Sequence, residues 1–255
     1  MNVSIVTVHL NDFDGLNNTY HSLRRLLVSR QINWLVIDGG SEVTTEEQEK
    51  CFDLIASEAD IFISEPDSGI YDAMNKGTRL ASADYVLYLN AGDELHPSFE
   101  LEKLIQTIKL KQAVMIWGCC QVQYKSGSTV GIKTRSPSWA WYGMPVCHAA
   151  IFFEREALGD NPYDTRFHIG ADYDLVCRLV TSGAKVVRFD SLISVFHRGG
   201  LSDVNRDAAL QEENEIRLKN FKIPILVGNA IKHFRAMSGR LAQTAWLRNL
   251  WRRWI

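Results

Sequence analysis

The feature that most constrains the fold is an alternation of short apolar segments with longer helical ones along residues 3–89. Four segments rich in β-branched and aromatic residues predict buried strands, at residues 3–8, 34–37, 61–64 and 85–89. Between them, apolar side chains recur at helical spacing in residues 14–28, 45–57 and 69–81. Strands that alternate with helices of about 10–15 residues are typical of parallel βαβ units, so we predict an α/β fold.

The regular alternation ends after residue 93. We predict a helix over 97–109, a strand over 114–122 and a hairpin over 121–132, followed by an aromatic loop over 134–146. Further strands are predicted at residues 149–153, 185–188 and 192–196, and further helices at residues 172–182 and 205–220.

The composition is that of an ordinary globular protein, with 46% hydrophobic and 23% charged residues. A net charge of −2 gives no reason to expect nucleic-acid binding by the chain as a whole. The five cysteines show no metal-ligand spacing, and a strand begins at Val3 with no apolar leader before it. We therefore predict reduced thiols and a cytoplasmic protein.

Carboxylates follow three successive predicted strands at the point where each strand ends. Asp38 follows the second strand, Asp67 the third, and Asp93 closes the turn Asn90-Ala-Gly-Asp after the fourth. The carboxyl ends of parallel strands share one edge of an open α/β sheet, where ligands bind. No GxGxxG motif follows the first two strands, which disfavours a dinucleotide-binding oxidoreductase. The edge suits a nucleotide and a cation, and the alternative is an ordinary capped loop.

Several motifs resemble the family 2 glycosyltransferases with a GT-A fold. They are the first strand, Asp38-Gly-Gly-Ser, the 14-residue run from Ser64 to Gly77, and Leu89-Asn-Ala-Gly-Asp93. The similarity continues through residues 144–148, 171–175 and 199–202, and is strongest to the branch that builds bacterial exopolysaccharides such as colanic acid, capsule or O-antigen. The resemblance implies a GT-A (Rossmann-like) mixed, mainly parallel sheet flanked by helices, with a C-terminal helical extension.

The resemblance also implies a site for a nucleotide-sugar donor. Thr7 and Asp38 match positions that contact the donor's nucleoside, and Asp67 matches an acidic position that borders the nucleotide. Asn75 and Lys76 match positions on the helix whose start faces the sugar nucleotide.

The turn from Asn90 to Asp93 occupies the place of the family's DxD metal motif. Asn90, a donor-binding position by resemblance, stands where an acid is most common, and Gly92 stands where a second acid is frequent. Asp93 is therefore the predicted ligand of a divalent cation, Mg²⁺ or Mn²⁺, with diphosphate oxygens and waters completing the shell.

Asp172 matches the catalytic base of the family's acidic pair, in which Ala171 here replaces the usual Glu. An Asp with an ordinary pKa of about 3.9 is ionised at neutral pH and accepts a proton from an acceptor hydroxyl. The alternative is that Asp172 only caps the helix that begins there. His148 matches a position near the acceptor pocket, and His197 a position near the diphosphate or the metal. For both histidines a purely structural role is the alternative.

Residues 221–255 differ from the rest of the chain, because they contain seven Lys or Arg and no Asp or Glu. A helical apolar stripe runs from Val227 to Ala245, and Trp246, Trp251 and Trp254 follow it. This composition predicts a basic amphipathic tail that lies on an anionic membrane surface, next to a glycosyltransferase domain formed by residues 1–220. The alternative is a helix packed on the domain with a solvated basic face.

We therefore predict an inverting, metal-dependent glycosyltransferase of the hexosyltransferase type. It would move a sugar from a nucleotide-sugar donor to a lipid-linked oligosaccharide in bacterial surface polysaccharide synthesis, at the inner face of the plasma membrane. The substitutions at Asn90 and Ala171 motivate one alternative, a catalytically silent sugar-nucleotide or partner-binding module of an assembly complex. A nucleotidyltransferase is disfavoured, because no Gly-rich basic phosphate loop follows Val8.

Overall fold

The computed structural model describes residues 2–124, 127–198 and 205–242, with side chains up to residue 238. The first part of the chain alternates strands and helices as predicted. Its strands are β1 (Val3–His9), β2 (Asn33–Asp38), β3 (Ile61–Ser64) and β4 (Tyr85–Tyr88). Its helices are α1 (Phe13–Val28), α2 (Glu46–Glu58) and α3 (Ile70–Leu80).

The second part of the chain extends this unit with further strands and helices. The strands are β5 (Glu94–Leu95), β6 (Met115–Gln123), β7 (Thr129–Ile132), β8 (Ile151–Glu154) and β9 (Val186–His197). The helices are α4 (Leu101–Lys111), α5 (Arg155–Leu158), α6 (Ala171–Thr181), α7 (Arg206–Phe221) and α8 (Ile225–Ala242).

Two boundaries differ from the sequence prediction. The two strands predicted within residues 185–196 are one strand, β9, because its pairing with β6 continues through an irregularity beside Gly118. Gly118 leaves room there for Ile193, whose Cδ1 lies 2.1 Å from the position of an added Cβ. Helix α4 begins at Leu101 rather than at Pro97, because the preceding residues form a turn. Strand β5 has two residues, too few to leave a periodic pattern in the sequence.

The strands form one nine-stranded sheet in the order β3-β2-β1-β4-β8-β6-β9-β5, with β7 paired to β6. Strand β1 is parallel to both β2 and β4, and β2 is parallel to β3. Strand β8 is antiparallel to both of its neighbours, so the sheet becomes mixed beyond β4. The turns that carry Asp38, Asp67 and Asp93 therefore emerge at one edge of the sheet, as predicted.

Apolar side chains cover both faces of the sheet. Helices α1 and α4 contribute Leu16 and Leu104 to the core on one face, whereas α3 and α6 contribute Met74 and Val176 to the core on the other. Alternate residues of β1 enter the two cores, as the two-residue period of a strand requires. At the carboxyl edge of the sheet, residues that follow β1 and β4 line a cleft.

Helices α7 and α8 form an antiparallel pair, the C-terminal hairpin. Asn214 Nδ2 donates to Asn229 Oδ1 at 3.0 Å, and Lys232 Nζ donates to Gln211 Oε1 at 2.9 Å. Gly228 permits the close approach of the helices, because an added Cβ would lie 2.8 Å from Asn214 Oδ1. The boundary predicted after residue 220 thus falls between two helices that pack together, and α7 also packs on α6.

Two segments named in the sequence analysis lie outside the described residues. One is residues 243–255 of the C-terminal extension, with their three tryptophans, and the other is the Gly-Gly-Leu-Ser motif at 199–202. Of the helices that the structure describes, none combines the length and apolarity needed to cross a bilayer.

Gly77 sets the distance between α3 and the sheet, because an added Cβ would lie 2.4 Å from Val6 Cγ1. We expect overpacking in Gly77→Ala to lower the free energy of unfolding by about 1–3 kcal/mol. The better helix propensity of Ala should offset up to about 1 kcal/mol of this loss. Urea unfolding measures the change. Gly131→Ala is the control, since its Cβ would meet no atom within 4 Å, and we expect a change within about 0.5 kcal/mol. Equal unfolding midpoints for the two variants would contradict the packing argument.

Candidate functional site

The turn after β4 is held in place by α1. Gly92 has a φ of +91°, a conformation that favours glycine, and the amide of Asp93 donates to Asn90 O at 2.9 Å. Thr19, fully buried in α1, donates its hydroxyl to Asp93 O at 2.7 Å and accepts from the amide of Gly92 at 3.2 Å. Thr19 is not identifiable from the sequence, because nothing in the local pattern of α1 indicates a partner in this turn.

Asn90 and Asp93 present oxygen atoms that suit a hard cation. Within the described residues Asn90 Oδ1 is buried and has no hydrogen-bond partner. Burial raises the pKa of Asp93 to about 8, an effect that the backbone amide of His197 opposes. A cation would offset this burial penalty, because it stabilises the charged carboxylate. Among the residues that the structure describes, no cluster of three or more His, Cys, Asp or Glu is placed to hold a metal.

Asp12 is a second carboxylate at this turn that the sequence analysis did not identify. It caps α1 by accepting from the amide of Gly15 at 2.9 Å. Its Oδ2 lies 3.5 Å from the position of an added Cβ on Gly92. The signal was present in the sequence, since an Asp directly before the first helix also lies at the carboxyl edge of the sheet.

Asp172 lies in the first turn of α6, where its Oδ1 accepts from the amide of Tyr173 at 2.7 Å. The hydroxyl of Tyr71, on α3, lies 3.4 Å from the same oxygen. Burial raises the pKa of Asp172 to about 6, whereas these two donors act to lower it. The N-cap position of α6 is Gly170, so Asp172 is not the capping residue of the helix. Its environment is that of a carboxylate with an elevated proton affinity in a cleft.

The two histidines occupy different environments. His148 is stacked on the ring of Tyr88, with centroids 5.5 Å apart, and its Nε2 is 2.9 Å from the hydroxyl of Tyr163. Burial lowers the pKa of His148 to about 4, so it is neutral at physiological pH. His197, at the end of β9, lies 2.9 Å from Glu94 Oε1 through its Nε2. Both rings border the same cleft.

A cleft of about 610 Å³ brings five of the predicted site residues together. Its walls come from the turn after β4, the end of β9, α3, the loop before α6, α6 itself and α7. The predicted residues that line it are Asn90, Asp93, His148, Asp172 and His197. The structure therefore places the predicted base and the predicted metal-binding turn in one cleft.

Two predicted donor-binding residues lie inside the core. Thr7 is fully buried in the middle of β1, where its hydroxyl accepts from the indole of Trp34 at 3.0 Å. Asn75, on α3, exchanges hydrogen bonds of 2.9 Å in both directions with the backbone of Tyr163. Asn75 thus anchors the loop that leads to α6, and the donor contacts of both residues stay predictions.

The other predicted donor-binding residues organise the edge beside β2 and β3. The Asp38 carboxylate is fully buried and accepts from the hydroxyls of Ser41 at 2.5 Å and Ser64 at 2.7 Å. Asp67 accepts from the amide of Gly69 at 2.8 Å, and Lys76 Nζ pairs with Glu65 Oε1 at 2.9 Å. None of these three side chains lines the cleft, and their contacts with a nucleotide also stay predictions.

The C-terminal hairpin supports one wall of the cleft. Arg217, which is 1% exposed, donates to the carbonyl oxygens of Trp141 at 2.8 Å and Tyr142 at 3.0 Å. Arg235 forms an ion pair with Glu213, which lines the cleft, and lies over the Tyr142 ring at 5.7 Å. These contacts hold the aromatic loop against the hairpin.

Comparisons with known proteins agree with this architecture. The sequence matches the model of glycosyl transferase family 2 over residues 4–196. A PGL/p-HBAD biosynthesis glycosyltransferase of Mycobacterium bovis is 28% identical over 183 residues, which are 66% of this chain and 67% of that protein. An uncharacterised glycosyltransferase of Mycobacterium tuberculosis is 30% identical over 212 residues, 77% of this chain and 78% of that protein.

Solved structures show the fold. A mannosyltransferase of Pyrobaculum calidifontis in complex with GDP-Man and Mn²⁺ has a TM-score of 0.66 at 15% identity, covering 98% of this chain and 82% of that chain. TarS of S. aureus in complex with UDP has a TM-score of 0.62 at 12% identity, covering 91% of this chain and 70% of that chain. The chain therefore belongs to glycosyltransferase family 2 and has the GT-A fold that its motifs predicted.

Proposed function

We propose that the protein is an inverting, metal-dependent hexosyltransferase that moves one sugar from a nucleotide-sugar donor to an acceptor hydroxyl. The observation that carries this proposal is the shared cleft of Asp172 and the turn from Asn90 to Asp93. A displacement at C1 of the donor sugar needs a base on one side of that carbon and a site for the leaving diphosphate on the other. Holding both groups in one cleft supplies the positioning on which such catalysis depends.

The donor's diphosphate is assigned to the turn after β4. Asn90 Oδ1 and the Asp93 carboxylate would hold the cation, Mg²⁺ or Mn²⁺, and the nucleoside would extend toward the turns that follow β1 and β2. Such a cation supplies Lewis-acid stabilisation of the charge on the leaving diphosphate. The structure of the Pyrobaculum calidifontis mannosyltransferase, which has a similar fold, contains GDP-Man and Mn²⁺, and this supports the assignment.

Asp172 is assigned the role of general base. With a pKa of about 6 it is ionised at neutral pH, and it is a stronger base than an Asp with an ordinary pKa. It takes the proton of the acceptor hydroxyl while that oxygen bonds to C1 and the bond from C1 to the diphosphate oxygen breaks. A single displacement of this kind inverts the configuration at C1. The hydroxyl of Tyr71 lies 3.4 Å from this carboxylate.

The acceptor is assigned to the part of the cleft beside Asp172. The lining of the cleft includes apolar side chains, among them Met74, Met144 and Val146. Such a surface suits an acceptor with an apolar portion, and we assign it a lipid-linked oligosaccharide of bacterial surface polysaccharide synthesis. The name of the M. bovis relative, PGL/p-HBAD biosynthesis, supports a biosynthetic role.

The alternative function is a catalytically silent module that binds a sugar nucleotide or a partner. The substitutions at Asn90 and Ala171 motivate this alternative, but the groups that catalysis would need are still present at or next to both positions. Asn90 retains an unpartnered oxygen, and the Asp172 carboxylate has the elevated proton affinity of a base. Turnover of a donor by the purified protein separates the two functions, because a silent module releases no nucleoside diphosphate.

An anionic membrane surface is the partner that we propose for α8. Leu226, Ala230, Phe234 and Met237 lie along one side of this helix at helical spacing, and all four are exposed. The opposite side packs on α7. The chain from residue 221 onward contains seven cations and no acids, so its charge complements anionic lipid. The protein would thus be peripheral on the inner face of the plasma membrane, where a lipid-linked acceptor is presented.

Replacing Asp172 by Asn removes the base but keeps the shape of the side chain. We expect kcat to fall by about two to four orders of magnitude with donor affinity unchanged. In the wild-type protein at saturating Mn²⁺, which keeps Asp93 ionised, kcat/KM should fall as the pH drops through about 6, because a protonated Asp172 cannot accept a proton. Release of nucleoside diphosphate from a panel of UDP-, GDP- and dTDP-sugars measures both effects. Asp53→Asn, on the exposed side of α2, is the matched control. A variant that retains a tenth of kcat would show that another group takes the proton.

Asp93→Asn removes the only carboxylate within the turn from Asn90 to Asp93 without changing the size of the side chain, and leaves Asp12 beside the turn. We expect the enhancement of donor affinity by Mn²⁺ to be lost, because an amide oxygen at position 93 binds the cation more weakly than a carboxylate does. Calorimetric titration of the preferred nucleotide-sugar, with and without Mn²⁺, gives the enhancement for each variant, and thermal unfolding checks the fold. Asp53→Asn again serves as control. An undiminished Mn²⁺ effect in Asp93→Asn would exclude Asp93 as the ligand.

The double substitution Leu226→Asp and Phe234→Asp places two charges on the exposed side of α8. We expect it to abolish flotation of the full-length protein with phosphatidylglycerol-containing vesicles, since it opposes both burial and charge attraction. Turnover of a soluble acceptor should be unchanged. Leu110→Asp is the matched control, because Leu110 and Leu226 are both 80% exposed. Truncation before α8 is less informative, because it also removes Arg235, the ion-pair partner of Glu213. Equal flotation of double variant and wild type would contradict the membrane assignment.

A further inference from the structure

Three consecutive backbone amides before α6 converge on one carboxylate of α7. The amide of His168 donates to Glu212 Oε1 at 3.0 Å, and those of Ile169 and Gly170 donate to Glu212 Oε2 at 2.9 and 2.8 Å. Successive amides of this kind form a concave site for an anion, and hydrogen bonds to a charged acceptor are stronger than neutral ones. Glu212 is therefore a strong anchor for this loop.

Gly170 allows the Glu212 carboxylate to approach the start of α6. Gly170, the N-cap position of α6, carries no side chain that could cap the helix. Its missing side chain also lets α7 come close, because an added Cβ would lie 3.0 Å from Ile216 Cδ1 and 3.4 Å from Glu212 Oε2. A carboxylate from another helix thus organises the start of α6.

The anchored loop carries the contacts of Asp172. Gly170 lies two positions before Asp172, and the carbonyl of Ile169 accepts the hydroxyl of Tyr71 at 2.5 Å. That hydroxyl is the group 3.4 Å from Asp172 Oδ1. A shift of the loop would therefore move the carboxylate and its hydroxyl partner together.

We propose that Glu212 is a positioning residue for Asp172, and that α7 is consequently part of the active site. Glu212 lies beyond residue 196, where the match to the family ends, so the match assigns it no role. This inference rests on the proposed role of Asp172 as the base.

Glu212 also acts on Asp172 through its charge. Burial is the main cause of the raised pKa of Asp172, and the negative charge of Glu212 adds to it. The titratable and charged groups around Asp172 are Tyr71 from α3, Tyr163 from the loop before α6, Cys177 from α6, and Glu212 and Glu213 from α7, with Arg217 and Arg235 behind Glu213. Neutralising Glu212 therefore lowers the pKa of Asp172 and moves the acidic limb of the pH profile to lower pH.

Glu212→Gln tests the proposal in the full-length protein. We expect kcat to fall by about 10- to 100-fold, because a misplacement of about 1 Å has an effect of this size. The KM for the donor should stay within about twofold, since the Asn90 to Asp93 turn is untouched. The acidic limb of kcat/KM should move to lower pH, which a purely structural role would not cause. Glu215→Gln, on the exposed side of α7, should leave all three unchanged.

One further variant tests the proposal if Glu212→Gln does not fold. Gly170→Ala displaces α7 without removing a charge, so it should lower kcat and leave the acidic limb in place. If Glu212→Gln does not fold, Gly170→Ala decides, and an unchanged kcat overturns the proposal. Wild-type kcat in Glu212→Gln, or a raised KM with kcat unchanged, overturns it as well.

Asp172→Asn separates this inference from the proposed function. In that background Glu212→Gln should change kcat by less than about threefold, because residues that act as a unit are not additive. If Asp172→Asn alone retains activity, the assignment of the base fails whatever Glu212 does. If Asp172→Asn is inactive and Glu212→Gln is normal, only the role of Glu212 fails.

Discussion

The parallel pairing of β1 with β2 on one side and β4 on the other is the constraint on which the rest of the structure depends. Every residue of β1 is buried, and its register places His9 beside Asp38 and Val6 beside Tyr88. A slip of one residue would turn each side chain to the opposite face and exchange the two cores. The register is therefore well determined, and with it the relative positions of the turns at the carboxyl edge. The backbone thus forms the outline of the site before any functional side chain is considered.

Burial then gives the two carboxylates of the cleft their chemistry. The pKa values of Asp93 and Asp172 are both raised by burial, to about 8 and about 6. Each carboxylate has donors that oppose the effect, the amide of His197 for Asp93 and the amide of Tyr173 for Asp172. Glu212 differs from these two residues, because three backbone amides donate hydrogen bonds to its carboxylate. Carboxylates whose pKa is raised by burial, such as Asp93 and Asp172, are typical of sites that bind a ligand or accept a proton.

The sequence was sufficient wherever the determining pattern is local. Strand and helix periods identified β1 to β4 with α1 to α3, and parallel pairing then placed Asp38, Asp67 and Asp93 at one edge. The contacts that complete the site are not local: Thr19 reaches Asp93 across 74 residues and Glu212 reaches Gly170 across 42. Such contacts depend on how helices pack on the sheet, which no short window of sequence records. The buried hydroxyl of Thr7 shows the same limit, because its partner Trp34 belongs to the next strand.

The C-terminal hairpin joins the interior of the enzyme to its outer surface. Arg217 of α7 is almost fully buried, and its guanidinium is satisfied by two carbonyls of the aromatic loop and by Asn214. Removing the partners of a buried charge is strongly destabilising, so the hairpin cannot separate from this loop without a large free-energy cost. Helix α8 is fixed in turn by the ion pair between Arg235 and Glu213 at the cleft. Its exposed apolar side therefore has a defined orientation relative to Asp172. If a membrane binds this side, as we propose, the acceptor region of the cleft is held at a constant angle to the membrane surface. Binding to the membrane would then also orient the cleft for entry of a lipid-linked acceptor.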